Sequence, residues 1–169
     1  MKLLIHAKML TMTALETKIK ERELLIIEDN QSDIDIMIEA FNLTLSNKNI
    51  NVVTDGDEAI SYIHNMSNFQ SMSKLPKIET PDLILMDINL PSYNGVEVLK
   101  LIKTDDNLKH IPVIMLTTSR SDRDVRNCYG NYANSFFCKP SNLQQFVDLI
   151  NLIDLYWLQT ASLSTNLPR

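Results

Sequence analysis

The chain has 169 residues, 44% of them hydrophobic, which suits one domain with a buried core. Acidic residues outnumber basic ones, 21 to 16, giving a net charge of −5, and the lysines and arginines are scattered. That balance excludes a nonspecific nucleic-acid binder, which needs a basic face to neutralise phosphates.

The chain opens on "MKLLIHAKML". His6 and Lys8 break any secretory core segment, no small-residue cleavage site follows, and no apolar run approaches a membrane span, so a cytoplasmic protein with no membrane partner is expected. Residues 1–20 are read as an N-terminal arm, disordered or a short helix spaced by Leu3, Ala7, Leu10 and Ala14, with Met9 and Met12 as alternative starts. "ELLIIED" (23–29) is a β-rich run ending in acids. Ile34, Met37, Ile38, Phe41 and Leu45 then share one helical face, with Asn30 or Ser32 able to cap its start. "INVVTD" (50–55) predicts a strand closed by Asp55-Gly56, and "DEAISYIH" (57–64) a helix. The polar stretch 65–80 reads as a long loop.

"LILMDINLP" (83–91) is an apolar run that stops at a carboxylate, Asp87. A helix follows in "VEVLKLIKT" (96–104), a strand ending in hydroxyls in "IPVIMLTTS" (111–119), and a short polar helix in "SDRDVRNCYG" (121–130). "NSFFCKP" (134–140) is a strand ending in Lys139-Pro140. Residues 142–158 predict a last helix with Leu143, Phe146, Val147, Ile150, Ile153 and Trp157 on one stripe. Cys128 and Cys138 form no Cys-x-x-Cys, and His6, His64 and His110 are dispersed, so free thiols are expected and neither zinc nor a disulfide.

Five β/α units in alternation, with central strands apolar throughout, predict an α/β fold: a five-stranded parallel sheet, doubly wound. The domain is read over 21–158, with 159–169 as a C-terminal tail. In such a sheet ligands bind at the carboxyl ends of the strands. Those ends carry Glu28-Asp29, Asp87, Thr117-Thr118-Ser119 and Lys139. Three carboxylates converging there repel one another, and a hard divalent cation such as Mg2+ removes the conflict. A carboxylate nucleophile, a metal, a hydroxyl and a lysine are the parts that phosphoryl transfer to an aspartate needs.

With "LLIIEDN", "LILMDINLP", "PVIMLTTS" and "FFCKP" in place, the chain resembles the receiver domains of bacterial two-component response regulators, a flavodoxin-like (βα)5 fold, over about 22–158. Within that family it looks most like the single-domain regulators paired with cyanobacterial phytochrome-type histidine kinases. The signs are "VVTDG", "LTTSR", the long loop before the third strand, and Trp157 with Leu167-Pro168. The resemblance implies that Asp87 accepts a phosphoryl group from a sensor histidine kinase. It implies a Mg2+ site of Asp29, Asp87 and the Asn89 backbone carbonyl, with Glu28 acting through water. Thr117 and Lys139 would bind the phosphoryl oxygens, Phe136 would be the aromatic switch partner of Thr117, and the Lys139–Pro140 peptide would be cis. The last helix, "LIDLYWLQ", is apolar enough to suggest a homodimer interface, or a Trp157 that merely closes the core.

The sequence departs from the family at Glu28, where Asp is commoner, and at Asn94, where Asp often precedes the glycine. Asn89 and Ser119 are small neutral residues where the family tunes phosphate lifetime. A phosphatase using an aspartyl-phosphate would want an Asp at position 89, and a flavin-binding module would not place two acids after its first strand. A receiver-like scaffold that is never phosphorylated is the remaining alternative.

Overall fold

A computed structural model describes residues 21–68 and 79–164. In chain order the elements are β1 (Arg22–Ile27), α1 (Gln31–Asn42), β2 (Lys48–Val53), α2 (Gly56–Asn68), β3 (Leu83–Met86), α3 (Gly95–Thr104), β4 (Val113–Thr117), α4 (Asp122–Gly130), β5 (Ser135–Cys138) and α5 (Leu143–Ile153). A π-helical segment, Asp154–Thr160, continues α5. The five strands form one parallel sheet in the order β2-β1-β3-β4-β5.

Side-chain alternation explains why the central strands are apolar at every position. Leu25, Ile27, Ile84, Met86, Val113 and Met115 pack on one face with Ala59, Ile63, Val98, Leu99, Ile102 and Cys128, from α2, α3 and α4. Leu24, Ile26, Leu83, Leu85, Ile114 and Leu116 pack on the other with Met37, Ala40, Phe41, Phe146 and Ile150, from α1 and α5. The chain leaves β1 outward to β2, then crosses back to β3 and continues the other way. The reversal lies between β1 and β3, where a doubly wound sheet opens its crevice.

Three features differ from the sequence reading. Helix α1 stops at Asn42 and leaves Leu45 exposed, because Lys48 Nζ takes the Phe41 carbonyl at 2.8 Å and Thr44 Oγ1 takes it at 2.8 Å. Helix α2 runs on to Asn68, into the stretch read as loop, while residues 69–78 lie outside the described residues. The last helix widens at Asp154, with Thr160 Oγ1 and Ala161 N both bonding carbonyls five residues back. That widening turns Leu158 into the core and leaves Trp157 half-buried; at the other end of the helix Leu143, its first residue, is exposed.

The widened segment carries a buried ion pair. Asp154 is fully buried and lies 3.3 Å from Lys48 Nζ. Ser46 Oγ and Gln159 Nε2 also donate to the Asp154 carboxylate. Lys48 further donates to Thr44 Oγ1 at 2.6 Å and to the Ser46 carbonyl at 2.8 Å, so both charges are fully hydrogen-bonded, as burial demands. The reading of residues 1–20 as an arm, and Leu167-Pro168, fall outside the described residues. Within the stretch read as a tail, Leu163 is buried.

Candidate functional site

The site lies at the carboxyl ends of β1, β3, β4 and β5. Glu28 is the first residue beyond β1. Asn30 caps α1 by accepting from Ser32 N and Asp33 N, and its own N–H donates to Glu28 Oε1 at 3.2 Å. The cap therefore also orients the Glu28 carboxylate. Asp87 directly follows β3, and its backbone N–H bonds the Ile27 carbonyl at 3.0 Å, locking the two strand ends together.

Glycine at position 95 serves this site by its lack of a side chain. A Cβ there would stand 2.0 Å from the Asp87 carbonyl oxygen. Asn94 is the N-cap of α3, with Glu97 completing a capping box, so Gly95 is the first helical residue and not a turn residue. The helix start is thereby pressed against the backbone that carries Asp87.

Lys139 ends β5, and its backbone N–H bonds the Thr117 carbonyl at 2.7 Å. Its ammonium donates to Glu28 Oε2 at 2.6 Å, Asp87 Oδ2 at 2.7 Å and Asp33 Oδ2 at 2.8 Å. Burial pushes the Glu28 carboxyl up to about 7, against the opposing pull of Lys139. For Lys139, burial favours the neutral amine, but the hydrogen bonds it donates to Asp33, Asp87 and Glu28 together outweigh it and hold the ammonium above its ordinary range.

The structure brings together Glu28, Asp29, Asp87, Asn89 and Lys139 around one open cleft of about 490 Å3. Carboxylate oxygens of Glu28, Asp29 and Asp87 all lie within 4.8 Å of one another, a hard oxygen donor set that fits Mg2+. Thr118 lines the cleft, whereas Thr117 is fully buried behind it. Thr117 Oγ1 accepts from Asn89 Nδ2 and from Ser119 N, each at 3.3 Å. Phe136 is half-buried, opposite Met115 in the β4–β5 register, and packs with the α2–α4 side of the core.

The Lys139–Pro140 peptide departs from expectation, since none of the described peptide bonds is cis. A bond preceding proline favours trans by about 0.5–1 kcal/mol, and Lys139 reaches all three carboxylates from the trans form. Sequence reasoning missed Asp33. Its signal was its place four residues after Asp29, on the first turn of α1, whose start abuts the acidic pair.

A doubly wound sheet with an acid cluster at its reversal point, a lysine bridging that cluster and a buried threonine beside it is the arrangement of a receiver-type α/β domain. The chain belongs to the response regulator receiver domain family, whose model matches residues 24–151. It is similar to Response regulator Rcp1 of Synechocystis sp., at 31% identity over 83% of this chain and 91% of that protein. Among solved structures it resembles the phosphorylated cyanobacterial phytochrome response regulator RcpA, with a TM-score of 0.76 and 35% identity over 86% of this chain and 99% of that one. It also resembles the Mn(2+)-bound form of Rcp1, with a TM-score of 0.74 and 31% identity over 84% of this chain and 98% of that one. No helix among the described residues is long and apolar enough to cross a membrane.

Proposed function

We propose that this receiver domain is a phosphorylation-controlled switch whose phosphoacceptor is Asp87. The observation that carries the reading is the single buried ammonium of Lys139 joining Asp87 to Glu28 at the sheet's reversal point. A carboxylate oxygen of Asp87 attacks the phosphorus of a kinase phosphohistidine, the P–N bond breaks, and the imidazole leaves with its electron pair. Asp29, Asp87 and the Asn89 carbonyl would hold Mg2+, with Glu28 through water, and the ion would supply positive charge beside the transferring group. Lys139 would bind and orient the phosphoryl oxygens with its ammonium. The Thr117 hydroxyl exchanges the Asn89 amide for a phosphoryl oxygen, and Phe136 follows into the space vacated. The face made by α4, β5 and α5 is the surface this exchange re-shapes.

In this reading the chain assists its own phosphorylation and slow dephosphorylation and is not otherwise an enzyme. Its donor is a sensor histidine kinase of phytochrome-like type, which the likeness to Rcp1 and RcpA supports. Output passes through protein contact in the cytoplasm, including a homodimer formed through the exposed Leu152, Leu155 and Tyr156, and not through nucleic acid. The test is intact-protein mass after incubation with Mg2+ and a small phosphoryl donor, with Asp87→Asn alongside. A gain of one phosphoryl group in the parent alone supports the reading. A gain in both assigns the phosphoryl group to a residue other than Asp87.

A further inference from the structure

Lys139 has a partner that the phosphoacceptor reading leaves unused. An ammonium has three donors, and all three are committed here, to Glu28, Asp87 and Asp33. Glu28 and Asp87 are also members of the acid cluster that fits a divalent cation, and Asp33 is not. Asp33 is placed by other means. Its backbone N–H donates to the Asn30 cap at 3.2 Å, and it sits on the first turn of α1, where a helix end favours negative charge. Its side chain is 22% exposed, against 2% for Glu28 and 7% for Asp87, so water already carries part of its solvation.

A cation in the cluster and the Lys139 ammonium draw on the same two carboxylates, Glu28 and Asp87. A cation held there, on Asp87 directly and on Glu28 through water, would weaken the ammonium's hold on two of its three carboxylates. An ammonium buried this deeply is costly to leave unpaired. Of its three partners, Asp33 is the one outside the contest, and it is also the one whose release costs least because solvent reaches it.

We propose that Asp33 is a positioning residue for Lys139: it holds the ammonium when a divalent cation takes Glu28 and Asp87, and yields it when a phosphoryl group on Asp87 arrives. The proposal rests on the phosphoacceptor reading for its second half and on cation binding alone for its first. Asp33 thereby favours cation binding by leaving the lysine one carboxylate that the cation does not draw on. A carboxylate that attracted the cation only through space would act the same way whether or not position 139 carried an ammonium.

The test is a double-mutant cycle read by Mg2+ titration calorimetry on the full chain, with no phosphoryl donor present. Asp33→Asn in the parent should weaken Mg2+ binding by about fivefold to tenfold, the loss of one partly exposed charge-assisted hydrogen bond. In a Lys139→Met background, or Lys139→Gln should that variant fail to fold, the same change should weaken binding by less than about twofold, a screened long-range effect. An equal loss in both backgrounds, no loss in either, or no Mg2+ binding by the parent overturns the proposal. The phosphoacceptor reading is tested separately by mass gain. Mg2+ binding without the coupling sinks the role of Asp33 alone, and the coupling without mass gain sinks the phosphoacceptor and with it only the second half of that role.

Discussion

Lys139 Nζ and Asp87 Oδ2 lie 2.7 Å apart, so the proposed phosphoacceptor is ion-paired before any phosphoryl group arrives. The pair belongs to a crowd in which one ammonium serves three carboxylates, with Asp29 beside them. Asp87→Asn therefore removes one repelling charge while Lys139 keeps Glu28 and Asp33. Without Mg2+ the variant should be as stable as the parent or more stable by up to about 1 kcal/mol. Urea unfolding in the presence of a chelator checks this, and a clear loss of stability would show that attraction to Lys139 outweighs the repulsion.

Removing the other partner should do the opposite. Lys139→Met leaves the buried Glu28 and Asp87 carboxylates without their shared cation. The metal-free protein should lose about 3–5 kcal/mol, the cost of breaking a buried pair from one side. Millimolar Mg2+ should restore most of that loss, since the ion offers the same carboxylates a replacement charge. Equal destabilisation with and without Mg2+ would mean that Lys139 acts chiefly through packing.

A pH dependence follows from Glu28, whose carboxyl burial pushes up to about 7 from its ordinary 4.5. Between those values the folded protein holds more proton than the unfolded chain, so stability falls as pH rises through that window. Below it the acid is neutral in both states and no penalty exists. Glu28→Gln should flatten the slope, and Mg2+ should flatten it too. Melting temperatures from pH 4 to 8 in chelator check it, and an unchanged slope in Glu28→Gln would refute the assignment.

The buried Asp154–Lys48 pair predicts a stability cost remote from the site. Asp154→Asn keeps the shape and removes the charge, while Lys48 retains the Phe41 and Ser46 carbonyls and the Thr44 hydroxyl. The cost should be about 1–3 kcal/mol, that of hydrogen bonds to a charged group. Denaturant unfolding measures it, and Mg2+ affinity should stay unchanged because Lys48 opens β2 beside Arg22, at the end of the sheet opposite the acid cluster.

Leu152, Leu155 and Tyr156 are each more than half exposed on the last helical stretch. If they meet a second copy, Leu155→Glu should shift a light-scattering concentration series toward monomer. A parent that stays monomeric at all concentrations, phosphorylated or not, would leave these residues without the proposed dimer role.

The fold was legible because the strands are apolar on both faces and the acids and lysine stand at their ends. The apolar runs and their polar ends therefore located the strands that carry Glu28, Asp87, Thr117 and Lys139. What escaped was set by partners distant in sequence. Leu45 continued the helical stripe by spacing, yet Lys48 and Thr44 claim the Phe41 carbonyl and end α1 first. Asp154 carries no mark of burial in its own segment, because the groups that enclose it, Lys48 and Ser46, lie over a hundred residues earlier. Asp33 went unremarked because its contact with the site is made by Lys139, over a hundred residues later. Gly95 looked like turn punctuation, whereas the structure requires only that nothing project toward Asp87.

The π-helical segment sets a phase. In an α-helix each residue advances the face by about 100°, so a single wide turn re-aims everything beyond it. Leu158 faces inward and Tyr156 outward for that reason, although composition alone would bury the aromatics first. Deleting one residue within 154–160 would rotate the aromatic end while changing almost none of its chemistry. The direction in which this surface looks is thus written in the length of a turn, where substitution-by-substitution comparison of side chains would not find it.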